Sequence, residues 1–91
     1  MRAAEAPPTL QTTPATAEGD VERAIGATLA KATSDLNRID YRALYADART
    51  QYDTTKRFVT QAENAMRKKN LVFARTVADK AAAVAGQLAG R

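Results

Sequence analysis

The side chains that could support chemistry in this chain are carboxylates and basic groups, because its 91 residues include no Cys, His or Trp. That composition excludes a thiolate nucleophile, a disulfide, haem or iron–sulfur ligation and an ordinary zinc or copper site. The carboxylates lie among basic neighbours, and no loop presents them at the alternating positions that calcium requires. The one serine, Ser34, has no base to activate it. We therefore predict a non-enzymatic protein that uses no cofactor and no metal.

Six basic residues form the candidate interaction surface. The chain carries 14 Lys and Arg against 10 Asp and Glu, a net charge of +4, and the excess lies after residue 39. Three of the six recur every seven residues along the predicted second helix, and three cluster at its end: Arg42, Arg49 and Lys56, then Arg67, Lys68 and Lys69. These cations could attract phosphates or the acidic surface of a partner.

The same cations also have a purely structural explanation. Asp53 lies four residues after Arg49, and Glu63 lies four before Arg67, so local ion pairs on a solvated face could neutralise much of the charge. Cations at the end of a helix also interact favourably with its dipole and its free carbonyls. Both interpretations of the basic residues stay open at this stage.

Three tyrosines, Tyr41, Tyr45 and Tyr52, could provide rings for stacking on bases or sugars. They recur at heptad spacing on the apolar stripe of the predicted second helix. A tyrosine in a helical seam usually buries its ring and lets the hydroxyl reach a partner at the rim. We therefore predict that these rings belong to the core.

The elements that must position these side chains are three predicted helices, which follow an N-terminal tail. Residues 1–19 hold all three prolines and only one large aliphatic residue, Leu10, which predicts a disordered Pro/Thr/Ala-rich tail. Residues 20–91 read as a helical domain with helices over about 20–37, 41–69 and 71–89. Asp20 and Asp40 are expected to cap the first two helices, and Asn70 to take the left-handed conformation that closes the second.

The predicted fold is all-α, an antiparallel three-helix bundle built on a long helical hairpin. The second and third helices are separated by one or two residues, so they must fold back on each other. The third helix offers mostly alanine, which permits close approach. The first helix is expected to lie in the groove of that hairpin. An open hairpin with a loosely docked first helix is the alternative.

The segment from Phe58 to Gly86 resembles a tetratricopeptide-like helical hairpin. Bulky and small residues fall at fitting intervals on both sides of the turn: Phe58, Ala62, Leu71, Ala74, Ala78 and Ala81. The same alanine-rich hairpin, with a Lys–Asn turn, is also similar to small uncharacterised helical proteins of the bacterial cell envelope. Both resemblances cover about a third of the chain, and both imply a helical scaffold that binds other proteins.

We therefore expect a non-catalytic helical protein-interaction or scaffold module, a subunit or accessory protein of a larger bacterial assembly, with a protein partner. One alternative is a small basic nucleic-acid-associated protein that contacts phosphates through the second helix and the hairpin tip. Another is a self-assembling helical structural protein, a homo-oligomer. No apolar run is long enough for a membrane span. If a signal was removed, the compartment is the bacterial periplasm or envelope, and otherwise the cytoplasm.

Overall fold

The computed structural model of this chain describes residues 15–90. In chain order these residues form α1 (Ala15–Asn37), a 3-10 turn (Tyr41–Ala43), α2 (Ala46–Arg67) and α3 (Leu71–Ala89). No strand occurs in this part of the chain, and the three helices pack together. The predicted all-α three-helix bundle is confirmed.

The first helix begins at Ala15, so the expected start at Asp20 was wrong. Ala17 and Glu18 favour helix, and the carboxylate of Glu18 lies in the first turn, where the helix dipole stabilises a negative charge. Asp20 therefore lies inside α1, and its side chain pairs with Arg23. The predicted tail is corrected for residues 15–19, and its remaining part, 1–14, lies outside the described residues.

The second helix begins later than predicted, at Ala46. Asp40 caps only the 3-10 turn, where its side chain accepts a hydrogen bond from the backbone N–H of Arg42 at 3.1 Å. Leu44 and Tyr45 then take extended conformations that break the helix. Arg49 compensates for the break, because its guanidinium donates to the carbonyls of Tyr41 and Arg42 at 3.2 and 2.9 Å.

The second helix also ends earlier than predicted, at Arg67 rather than at Lys69. Lys69, with φ 62°, takes the left-handed position that was expected of Asn70. The N–H groups of Lys69 and Asn70 bond back to the carbonyls of Met66 and Ala65 at 3.0 and 2.8 Å, a Schellman motif. Asn70 instead caps α3 with its side chain.

The third helix lies at the centre of the bundle. Its inward face combines the larger side chains of Val77 and Leu88 with four alanines that have no exposed surface: Ala74, Ala78, Ala81 and Ala85. An ion pair between Lys69 and Glu22 holds the start of α1 beside the α2–α3 turn, so α1 runs parallel to α3 and antiparallel to α2. As expected, α1 packs on the hairpin, because its Ile25 and Leu29 share a core cluster with side chains of both other helices, but α1 lies closer to α3 than to α2.

A buried carboxylate, Asp35, stands near the end of α1 and faces Gly86 of α3. Its two oxygens accept from Lys31 Nζ at 2.9 Å and from the guanidinium of Arg38 at 2.6 Å. The hydrogen bond from Lys31, reinforced by the charges of both cations, holds the pKa of Asp35 below its ordinary value of 3.8, against the opposing effect of desolvation. Asp35 is therefore a charged, paired group inside the helical domain.

Candidate interaction surface

The predicted row of Arg42, Arg49 and Lys56 is not a continuous basic stripe in the structure. Arg42 lies in the 3-10 turn rather than on α2. The guanidinium of Arg49 donates hydrogen bonds to the backbone carbonyls of that turn, and its central carbon lies 5.3 Å from the centre of the Tyr41 ring. Lys56 lies over the ring of Tyr52 at 6.0 Å. Arg49 therefore supports the fold as an internal cap.

The predicted cluster of Arg67, Lys68 and Lys69 does lie together at the α2–α3 turn. Arg67 donates to the side-chain oxygen of Asn64. Lys69 pairs with Glu22 at 2.6 Å, and that hydrogen bond raises the pKa of the Lys69 ammonium above its ordinary value. Lys68 is exposed and has no ion pair among residues 15–90. The six predicted basic residues are thus spread along α2 and its two flanking turns, and they have different environments.

The tyrosines are less buried than their spacing predicted. Tyr45 is 87% exposed and Tyr41 is 37% exposed, so the core prediction was wrong for both. Tyr52 is half-buried and packs on the core, and it meets Tyr41 edge to face at 5.1 Å. The Tyr41 hydroxyl donates to Asp53 at 3.1 Å. Desolvation first, and then that carboxylate, raises the pKa of Tyr41. The break before Ala46 explains the difference, because it removes Tyr41 and Tyr45 from the helical face.

The main concave feature of the described residues is an open groove between α1 and α2, with a volume of about 830 Å³. Its floor is apolar and includes Leu29 and Met66, and the α1 side is lined by small residues such as Gly26, Ala30 and Ser34. The groove exists because α1 lies closer to α3 than to α2. We call it the α1–α2 groove.

A smaller depression of about 220 Å³ continues this groove toward the start of α2. The two cavities share Thr33, Asn37 and Glu63, and the smaller one adds the apolar side chains of Leu36 and Val59. The continuous groove therefore follows more than half of the length of both helices.

The rim of the α1–α2 groove is predominantly basic. Arg38, Lys56 and Arg67 line it, against the single carboxylate of Glu63. Two of the six predicted residues, Lys56 and Arg67, therefore border the groove, although the groove itself was not predicted. The small residues of α1 recur at helical spacing in the sequence, but only the position of α1 shows that this face lacks a neighbour.

No group of three or more His, Cys, Asp or Glu converges to hold a metal ion within residues 15–90. Among the helices that the structure describes, none has the length and apolarity that crossing a bilayer requires. Comparison with known protein families, curated proteins and solved structures finds no match for this chain.

Proposed function

We propose that this chain is a non-catalytic helical protein-interaction module, and that the α1–α2 groove receives an amphipathic helix of a partner protein. The observation that carries this proposal is the long, open groove with an apolar floor and a polar rim. Helix-in-groove recognition uses this combination, because the floor removes apolar surface of the partner from water and the rim fixes its orientation.

The small side chains of α1 support a helix as the occupant. Packed helices approach to about 8–10 Å between axes when the residues at the contact are small. A methyl group built on Gly26 would meet no atom within 4 Å, so this part of the groove is open to a neighbouring side chain. A docked helix beside α1 and α2 would complete a four-helix arrangement in which the half-buried Met66 joins Leu29 in the core.

The charges of the rim support a partner helix with acidic residues beside its apolar ridge. Lys56 and Arg67 lie on the α2 side of the groove, and Arg38, which is already paired with Asp35, lies on the α1 side. Rim charges of this kind mainly set orientation and association rate, and salt screens them. We therefore expect partner binding to weaken moderately, without being lost, as the salt concentration rises.

The experiment compares two neighbouring positions of α1 that differ in the face they occupy. Gly26→Gln places a helix-compatible side chain in the groove, and Ala27→Gln adds the same side chain at an exposed position that does not line it. The tagged full-length chain and both variants are used to capture partners from the source organism after nuclease treatment. The captured protein is then titrated against each variant.

We expect Gly26→Gln to lower the affinity at least tenfold and Ala27→Gln to leave it unchanged, because the bulk of the new side chain enters only the first interface. Arg67→Glu should lower the association rate and weaken the salt dependence. Equal binding by wild type and Gly26→Gln would remove the groove as the docking site. Capture that disappears with nuclease would favour the nucleic-acid alternative.

A further inference from the structure

The tip of the hairpin, formed by the end of α2 and the first turn of α3, exposes two large apolar side chains. Val72 is 82% exposed and Phe73 is 47% exposed. The other large apolar or aromatic residues exposed in the described part of the chain are Tyr41 and Tyr45, before α2 at the other end of the bundle. Unlike tyrosine, valine and phenylalanine have no polar atom to place in water, so exposing two of them side by side is unfavourable unless another surface covers them.

Cations surround this apolar pair. Lys68 and Phe73 line the same shallow depression at the tip, and Arg75 follows Val72 by one helical turn. Arg67, Lys68 and Arg75 have no carboxylate at ion-pair distance among residues 15–90, whereas Lys69 is paired with Glu22. The tip therefore combines exposed apolar side chains with three cations whose charge is not neutralised by an ion pair.

We propose that this tip docks on the surface of an anionic phospholipid bilayer. Val72 and Phe73 would enter the interface, while Arg67, Lys68 and Arg75 contact lipid phosphates. Apolar side chains flanked by basic residues bind such surfaces through buried apolar area together with attraction to anionic headgroups. Nucleic acid would use the cations but would gain little from covering Val72. Arg67 borders both the tip and the α1–α2 groove, whereas Val72 and Lys68 do not line that groove, so tests at Val72 and Lys68 separate this inference from the proposed function.

The first test uses the absence of tryptophan from the chain, which makes a single introduced Trp an unambiguous reporter. Val72→Trp places it at the tip, and Tyr45→Trp is the matched control at the most exposed aromatic position of the opposite end. Both full-length variants are mixed with vesicles of phosphatidylcholine alone or of phosphatidylcholine with phosphatidylglycerol. We expect a blue shift of fluorescence only for Val72→Trp and only with the anionic vesicles. No shift with either composition, or equal shifts for both variants, overturns the proposal.

The second test measures vesicle co-sedimentation of variants without the reporter. Lys68→Glu removes one positive charge and adds one negative charge. Because each unit of charge near an anionic surface contributes about a fivefold change, binding of the protein to the anionic vesicles should fall on the order of thirtyfold. Val72→Ser should lower binding to the anionic vesicles about tenfold, and Tyr45→Ser should leave vesicle binding unchanged. All three positions are exposed, so circular dichroism should remain that of wild type. Binding to a DNA duplex that is insensitive to Val72→Ser, with no vesicle binding, would assign the cations to nucleic acid and overturn the proposal.

Discussion

Replacing two of the helical glycines, Gly26 and Gly86, with alanine should stabilise the protein. Gly26 lies in α1 and Gly86 lies in α3. Glycine in a helix interior is about 0.5–1 kcal/mol less favourable than alanine, because it loses more backbone entropy on folding. A gain of that size requires that the added methyl group finds room in the folded state.

The structure provides that room at both positions. A Cβ at Gly26 would have no neighbour within 4 Å, and a Cβ at Gly86 would have Asp35 Oδ2 at 3.9 Å, an ordinary van der Waals distance. Gly90 is the contrasting position, because a Cβ there would lie 3.2 Å from the backbone carbonyl oxygen of Gly86. We therefore expect Gly26→Ala and Gly86→Ala each to gain about 0.5–1 kcal/mol, and Gly90→Ala to gain nothing or lose stability.

The assay is thermal and urea denaturation followed by far-UV circular dichroism. For a domain of this size the expected gain corresponds to a rise of about 2–8 °C in Tm. A loss of stability in Gly26→Ala would refute the placement of this residue in an open part of the helix, and with it the geometry of the α1–α2 groove. A loss in Gly86→Ala alone would show that Asp35 packs more tightly on α3 than the 3.9 Å distance indicates.

Three further predictions concern the core, the buried carboxylate and the cap of α2. Ala78→Asp should unfold the domain, because it buries an unpaired charge at a site with no exposed surface, whereas Ala83→Asp on the solvent side of α3 should remain folded by circular dichroism. The pKa of Asp35 is lower in the folded state, so its stabilising contribution is present above the unfolded-state value and is lost as pH falls through the folded-state value. Urea denaturation as a function of pH should therefore show a shallower acid decline for Asp35→Asn, and an unchanged decline would contradict the ion pairs. Arg49→Met should lower stability by about 1 kcal/mol in urea denaturation, because the carbonyls of the 3-10 turn lose their donor, and an equal loss in Arg57→Met would argue against this capping role.

The sequence was sufficient to predict the helices whose apolar residues repeat without interruption. In α1 the apolar residues recur every three or four positions, and the structure buries Ile25, Leu29, Ala32 and Leu36 and half-buries Val21. The extent of α3 is also confirmed from Leu71 to Ala89. Periodicity was misleading only where local capping competes with it. Tyr41 and Tyr45 fit the heptad of α2, but the Asp40 cap and the Arg49 bonds to backbone carbonyls favour a turn and a break there.

For the basic residues too, the sequence predicted some features and missed others. Their positions along the chain predicted a basic cluster at the α2–α3 turn, and Arg67, Lys68 and Lys69 lie at that turn. The sequence did not predict that Lys69 pairs with Glu22, because the two residues are 47 positions apart. Nor did the sequence predict that Arg49 donates to backbone carbonyls of its own chain, since those acceptors become available only when the helix breaks before Ala46.

The amino-acid sequence by itself determined the helical class, the hairpin and the absence of thiol and imidazole chemistry, because these follow from composition and from local spacing along the chain. Only the tertiary structure decided where α1 lies. The alanines of α3 allow α1 to pack closely on that helix, and this preference leaves the side of α1 that carries Gly26 and Ala30 without a neighbour. The α1–α2 groove therefore arises because α1 lies at different distances from α3 and α2, which depends on how well distant surfaces fit and not on the pattern within either helix.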